Sequence, residues 1–245
     1  MLKDKVIVVI GANGLLGKEI VKGCVANGAI VVGSDVVENL GFRIEGLDYK
    51  RCDITNKEMI LDLIECVKDK YKKIDVVINS AYPRNKNYGR KFEEVEYRDF
   101  CENVNLHLGG YFLVSQQFAE FFKLQGWGNL INFASIYGVI PPRFDIYPEN
   151  MTMPIEYNVI KHSIISMSKY IAKYYKGYNI RVNCISPGGI FDNQPKEFLE
   201  KYNNYALNKG MLDKKDIVGS VVFLCSDMSK HINGQNLVVD DGWSL

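Results

Sequence analysis

The chain has 245 residues, 47% of them hydrophobic, and a formal net charge of +1. That length holds one large domain or two small ones with a real core, and the balanced charge excludes a global electrostatic grip on nucleic acid or an acidic membrane. No run approaches the roughly 18 apolar residues of a membrane span.

The N-terminal run VIVVI (6–10) is short and leads into a glycine-rich turn, so it reads as a first strand, 5–10, and not as a signal peptide. A helix is expected over 14–27, a second strand over 29–35 and a weaker third over 47–53. Residues 56–71 place Met59, Ile60, Leu63, Ile64 and Val67 at helical spacing. A strand at 74–79, a long helix at 98–124 and a strand at 128–135 follow. Then come a second long helix at 155–176, a strand at 179–186, helical stretches near 195–208 and 213–225, and a last strand within 234–242. Strands alternating with helices predict an α/β fold: a single-domain, Rossmann-type, doubly wound parallel sheet of about seven strands flanked by helices. No linker, repeat or low-complexity tract divides the chain. The six cysteines form no Cys-x-x-Cys pair and the three histidines lack ligand spacing, so no metal site is expected. Reduced thiols in the cytoplasm are expected instead.

The turn VIGANGLLG places Gly11, Gly14 and Gly17 between the first strand and the first helix. Glycines there let the backbone approach a pyrophosphate, and the helix N-terminus offers it free N–H groups. Asp35 ends the second strand, where a carboxylate accepts hydrogen bonds from an adenosine ribose and repels a 2′-phosphate. The expected cofactor is therefore NAD in preference to NADP.

Three Tyr-x-x-x-Lys pairs occur, at 82–86, 157–161 and 205–209. Pro83 interrupts the first, and Gly210 ends the third with no strand before it. Tyr157 and Lys161 lie near the start of a long helix, on one face, after a strand ending at Ser135.

These features resemble the short-chain dehydrogenase/reductase family over nearly the whole chain. The matching pieces are the glycine turn, Asp35, CDI (52–54), INSA (78–81), FASIYG (133–138), EYNVIK (156–161), RVNCISPGG (181–189) and INGQNLVVDDG (232–242). The resemblance implies that Tyr157 is the general acid/base, that Lys161 lowers its pKa and holds the nicotinamide ribose, and that Ser135 orients the substrate oxygen. It assigns cofactor contacts to Asn13, Leu15, Leu16, Asp53, Ile54, Asn79, Ala81, Pro187, Gly188 and Ile190, besides the three glycines, Asp35, Tyr157 and Lys161. It also implies a homodimer or homotetramer built on the two long helices. NLHLGGYFLVSQ and YGVIPPRFDIY further resemble members from bacterial surface-polysaccharide and flagellin-glycan gene clusters.

Several positions depart from the family pattern. The glycines are spaced G-x-x-G-x-x-G, and Tyr82 stands where the family has a glycine. The family's fourth catalytic residue, an Asn on the long central helix, falls on Asn105 by wording and on His107 by register, and helix positions two apart differ by about 200°. An enlarged loop near 139–154 separates Ser135 from Tyr157 and is expected over the substrate or at an oligomer contact. YPRNKNYGRK (82–91) is basic with no acid. Arg84 and Arg143, with Tyr82 and Tyr137, are therefore candidate contacts for a small anionic substrate such as a sugar phosphate, nucleotide sugar or sugar acid. The alternatives are a sugar-nucleotide epimerase or dehydratase with retained NAD, and a non-catalytic dinucleotide-binding scaffold.

Overall fold

Hydrophobic residues on the first strand point alternately to two separate cores, and that split organises the fold. The computed structural model describes residues 1–245. β1 (Val6–Ile10) sends Val6, Val8 and Ile10 into one cluster and Ile7 and Val9 into another. A strand buried on both faces needs such a continuous apolar run. It pairs with β2 (Ile30–Asp35) on one side and β4 (Val76–Asn79) on the other. β3 (Asp48–Arg51), β5 (Gly128–Phe133), β6 (Ile180–Pro187) and β7 (Asn236–Val239) complete a seven-stranded parallel sheet in the order β3-β2-β1-β4-β5-β6-β7.

One face is covered by α2 (Lys57–Tyr71), α4 (Gly110–Gln125) and α5 (Ile155–Tyr174), and the other by α1 (Leu15–Ala26) and α7 (Val218–Cys225). Asn56 caps α2 by accepting the Met59 N–H at 3.0 Å. α3 (Tyr97–Val104) runs into α4 through one π-helical turn, Asn105–Gly109, so the expected long helix is continuous but not uniformly α. α6 (Lys196–Asn203) packs with the 139–154 loop and Trp243 in a third, smaller cluster. All six cysteines are free, and no helix is long and apolar enough to cross a membrane. Strand order reverses between β1 and β4, and in open α/β sheets the crevice at that reversal is where ligands bind.

Candidate active site

A cavity of about 1070 Å³ opens at the C-terminal ends of the strands, beside that reversal. Its first wall is the glycine turn. Gly11 has φ +80°, and a Cβ there would lie 2.7 Å from the Ala81 amide nitrogen. A Cβ on Gly17 would lie 2.0 Å from the Gly11 carbonyl oxygen. The turn can therefore close onto α1 only with glycines at these places. No side chain caps α1 and no acid sits in its first turn, so its free N–H end, with Asn13, Leu15 and Leu16, faces the cavity unneutralised. These features fit a dinucleotide pyrophosphate.

Asp35 lines the same wall. Its carboxylate accepts the Asn13 N–H at 2.9 Å and the Val36 N–H at 2.8 Å. Two of its roughly four acceptor positions stay open. Asp53, Ile54 and Ala81 continue the lining, as do Pro187, Gly188 and Ile190 at the far end. Asn79 lies behind it: the residue is buried, its Oδ1 accepts the Ala81 N–H at 3.3 Å, and its backbone carbonyl accepts the Tyr111 hydroxyl at 3.0 Å.

The structure brings Ser135, Tyr157 and Lys161 together at the inner end of the cavity. Lys161 Nζ is 5.5 Å from the Tyr157 ring centre and donates to the Phe133 carbonyl at 2.9 Å. Ser135 Oγ accepts the Tyr137 N–H at 3.2 Å, which leaves its own proton free to donate. His107, and not Asn105, turns toward this cluster. It is buried with its Nε2 3.4 Å from Lys161 Nζ, whereas Asn105 is exposed on the outer face of the helix. The Asn105 alternative is thereby corrected.

A second correction concerns charge. The expected lowering of the Tyr157 pKa is not what the site shows. Burial pushes the phenol up, and the Ser135 hydroxyl works only partly against it. Burial also brings the Lys161 ammonium down from 10.5 to about 7. Desolvation of each charged form is the largest cause of each shift. His107 is held well below its ordinary value, first by burial and then by Lys161, so it is neutral and its Nε2 accepts from the ammonium.

The Lys161 shift has a measurable consequence. Between pH 7 and 10.5 the unfolded chain holds a lysine proton that the folded protein has lost, so stability rises with pH from about 7, by at most about 1.4 kcal/mol per unit. The thermal midpoint of the protein without added dinucleotide is expected to climb between pH 7 and about 8.5, and Lys161→Met to flatten that climb. At higher pH the buried Cys52 and Cys184 thiols, pushed up to about 12 and about 11, act in the opposite sense. Equal slopes in parent and variant would assign the effect elsewhere.

The inner end of the cavity is aromatic. Tyr82 stands edge-on to Tyr157 at 5.7 Å and to His107 at 5.3 Å, and donates to the Tyr88 hydroxyl at 2.9 Å. Arg84 lies over the Tyr82 ring at 4.9 Å and, with Lys161, is one of two cations in the cavity wall. Tyr137 lines the cavity with its hydroxyl 2.8 Å from that of Tyr147. Arg143 does not reach the cavity. Its guanidinium stacks on Tyr205 and Trp243 and donates to the Trp243 and Leu245 carbonyls at 3.4 and 3.3 Å, tying down the enlarged loop. Its assignment as a substrate contact is corrected accordingly. Met151, Met153, Gln194, Phe198, Tyr202 and Met211 also line this end and escape sequence reasoning, because they lie in loops and a short helix with no chemical signature.

A doubly wound sheet with a dinucleotide-sized cavity at its reversal defines a class of nucleotide-dependent enzymes. A family model described as enoyl-(acyl carrier protein) reductase matches residues 11–244. The chain is 46% identical, over the full length of both, to post-translational flagellin modification protein A of Campylobacter coli. It is 30% identical to a 3-oxoacyl-[acyl-carrier-protein] reductase of Thermotoga maritima, covering 98% of each. It superposes with a TM-score of 0.91 and 34% identity on a short-chain dehydrogenase of Leptospira borgpetersenii solved with bound NAD+, over 100% of this chain and 94% of that one. The chain belongs to the short-chain dehydrogenase/reductase family and is an oxidoreductase.

Proposed function

We propose that the protein is a cytoplasmic NAD(H)-dependent oxidoreductase that interconverts a hydroxyl and a ketone on a small, anionic, sugar-like molecule. The observation that carries this reading is the convergence of Ser135, Tyr157 and Lys161 at one end of a cavity whose other end carries Asp35 and the uncapped α1 N-terminus. A nicotinamide dinucleotide held by these residues would supply or accept the hydride. Tyr157, neutral through burial, gives its proton to a carbonyl oxygen, and the Ser135 hydroxyl beside it donates to that oxygen and holds it in place. In its protonated form Lys161 spends two N–H groups on Phe133 and His107, leaving the third for a ribose hydroxyl. His107 thus takes the family's fourth position, fixing Lys161.

Arg84 supports the anionic substrate, since its planar fork suits phosphate or carboxylate. The flagellin-modifying relative supports a product destined for attachment to protein. The test has two stages. NADH fluorescence titration is expected to give affinity at least about tenfold above that for NADPH. A panel of sugar acids and sugar phosphates, run with NAD+, is then expected to contain a substrate whose KM rises about tenfold or more in Arg84→Gln. Preference for NADPH would overturn the reading of Asp35, and an unchanged KM that of Arg84.

We also propose a homodimer or homotetramer through the outer face of α3, α4 and α5, where Phe112 and Tyr170 are exposed beside an apolar groove. Sedimentation showing only monomer at micromolar concentration would overturn this.

A further inference from the structure

Residues 80–91 form neither strand nor helix, yet they carry Tyr82 and Arg84, which wall the substrate end of the cavity. Side-chain amides, half-buried at Asn85 and Asn87 and buried at Asn103, hold this loop. Asn85 Nδ2 donates to Asp99 at 2.9 Å and to Glu102 at 2.8 Å, and Asn87 Nδ2 bridges both Asp99 oxygens at 2.9 and 3.0 Å. Asn103, on α3, is the node. Its Oδ1 accepts the Asn85 backbone N–H at 2.9 Å, and its Nδ2 donates to Asn85 Oδ1 at 3.3 Å and to Glu156 Oε1 at 3.2 Å. Asn103 and Glu156 are each 1% exposed, and Glu156 Oε2 has no partner. Glu156 immediately precedes Tyr157 on α5. A buried carboxylate with one satisfied oxygen is costly to leave unpaired, so the Asn103 bond is held firmly.

We propose that Asn103 is a positioning residue that locks the Tyr82–Arg84 loop to the start of α5, and so sets the spacing between the anion-binding wall and the Tyr157 proton donor. The proposal rests on the function assigned above, but its first readout does not. The Asn85 backbone amide proton reports the link directly, because its acceptor is the side-chain Oδ1 of Asn103. In Asn103→Leu, deuterium exchange at Asn85 is expected to speed up about tenfold or more. The affinity for NADH stays within about twofold, because the link lies outside the dinucleotide wall. With the panel member turned over fastest, KM rises about tenfold while kcat changes less than about threefold. The double variant Asn103→Asp with Glu156→Gln keeps an acceptor for the Asn85 N–H and rebuilds the bond to α5 with donor and acceptor exchanged, losing only the 3.3 Å bond to Asn85 Oδ1, so it returns exchange and KM part of the way toward the parent. Asn85→Ala weakens the same link from the loop side with the Asn103–Glu156 bond intact, so it reproduces the KM shift even if Asn103→Leu does not fold. Unchanged Asn85 exchange overturns the proposal. So does a kcat loss as large as the KM rise, or a swap that restores nothing. If no panel member reacts, the assigned function has failed and the exchange result alone decides the lock.

Discussion

Tyr157→Phe is expected to lower kcat by about 10²–10⁴ while NADH affinity stays within about twofold of the parent. The substitution deletes one hydroxyl and keeps the ring, so the edge contact with Tyr82 at 5.7 Å and the placement of Lys161 beside the ring survive. What disappears is the proton that a reduced carbonyl must receive and the partner of the Ser135 hydroxyl. Because burial already disfavours the phenolate, the variant loses no favourable charge in the resting protein and is expected to melt within about 1 kcal/mol of the parent. Steady-state NADH formation from NAD+ with the panel substrate, beside a fluorescence titration, separates chemistry from binding. Activity above a tenth of the parent's would remove Tyr157 from the proton path and return the non-catalytic scaffold to first place.

Gly17→Ala carries the second large effect. Its new methyl would sit 2.0 Å from the Gly11 carbonyl oxygen and 2.8 Å from the Gly11 carbonyl carbon. Both are backbone atoms, so relief requires moving the turn off α1. Overpacking of this kind costs typically about 1–3 kcal/mol and sometimes more. The displaced turn also withdraws the helix N-terminus from the pyrophosphate, so NADH affinity should fall at least about tenfold. The control is Gly219→Ala on α7, where a Cβ meets nothing within 4 Å. That change should be neutral or stabilising by up to about 1 kcal/mol, as expected for alanine in an open helical position. Thermal melts of both variants, each with and without NADH, decide the matter. Similar behaviour of the two would mean that close packing at Gly17 is unimportant.

The sheet and the dinucleotide wall were legible because their signals are local. Val6–Ile10 is a run that only a doubly buried strand tolerates, and the glycines follow it at the one place where backbone must approach backbone. Tyr157 and Lys161 were legible because one helix fixes their spacing. Arg143 was misread because its destination, the Trp243 and Leu245 carbonyls, lies about a hundred residues away in the chain. Its place in the enlarged loop said nothing of that. Arg90, in the loop read as free of acid, is paired at 3.4 Å with Asp99, which the sequence places beyond the loop. The direction of the Tyr157 shift was missed because desolvation is set by how the surrounding loops close, and no spacing rule encodes it.

The π-helical turn at Asn105–Gly109 acts as a phase shifter. An α-helix assigns directions to its side chains at a fixed 100° per residue, so a face once chosen is kept. One wider turn adds a residue without bending the chain away, and everything after it is rotated relative to everything before. Upstream, Asn103 can therefore serve the loop and Glu156; downstream, Tyr111, Val114 and Phe118 can fill the core; and His107, between them, is delivered to Lys161. Deleting one residue from this turn would leave a longer, more regular helix whose two halves no longer agree on which way is inward.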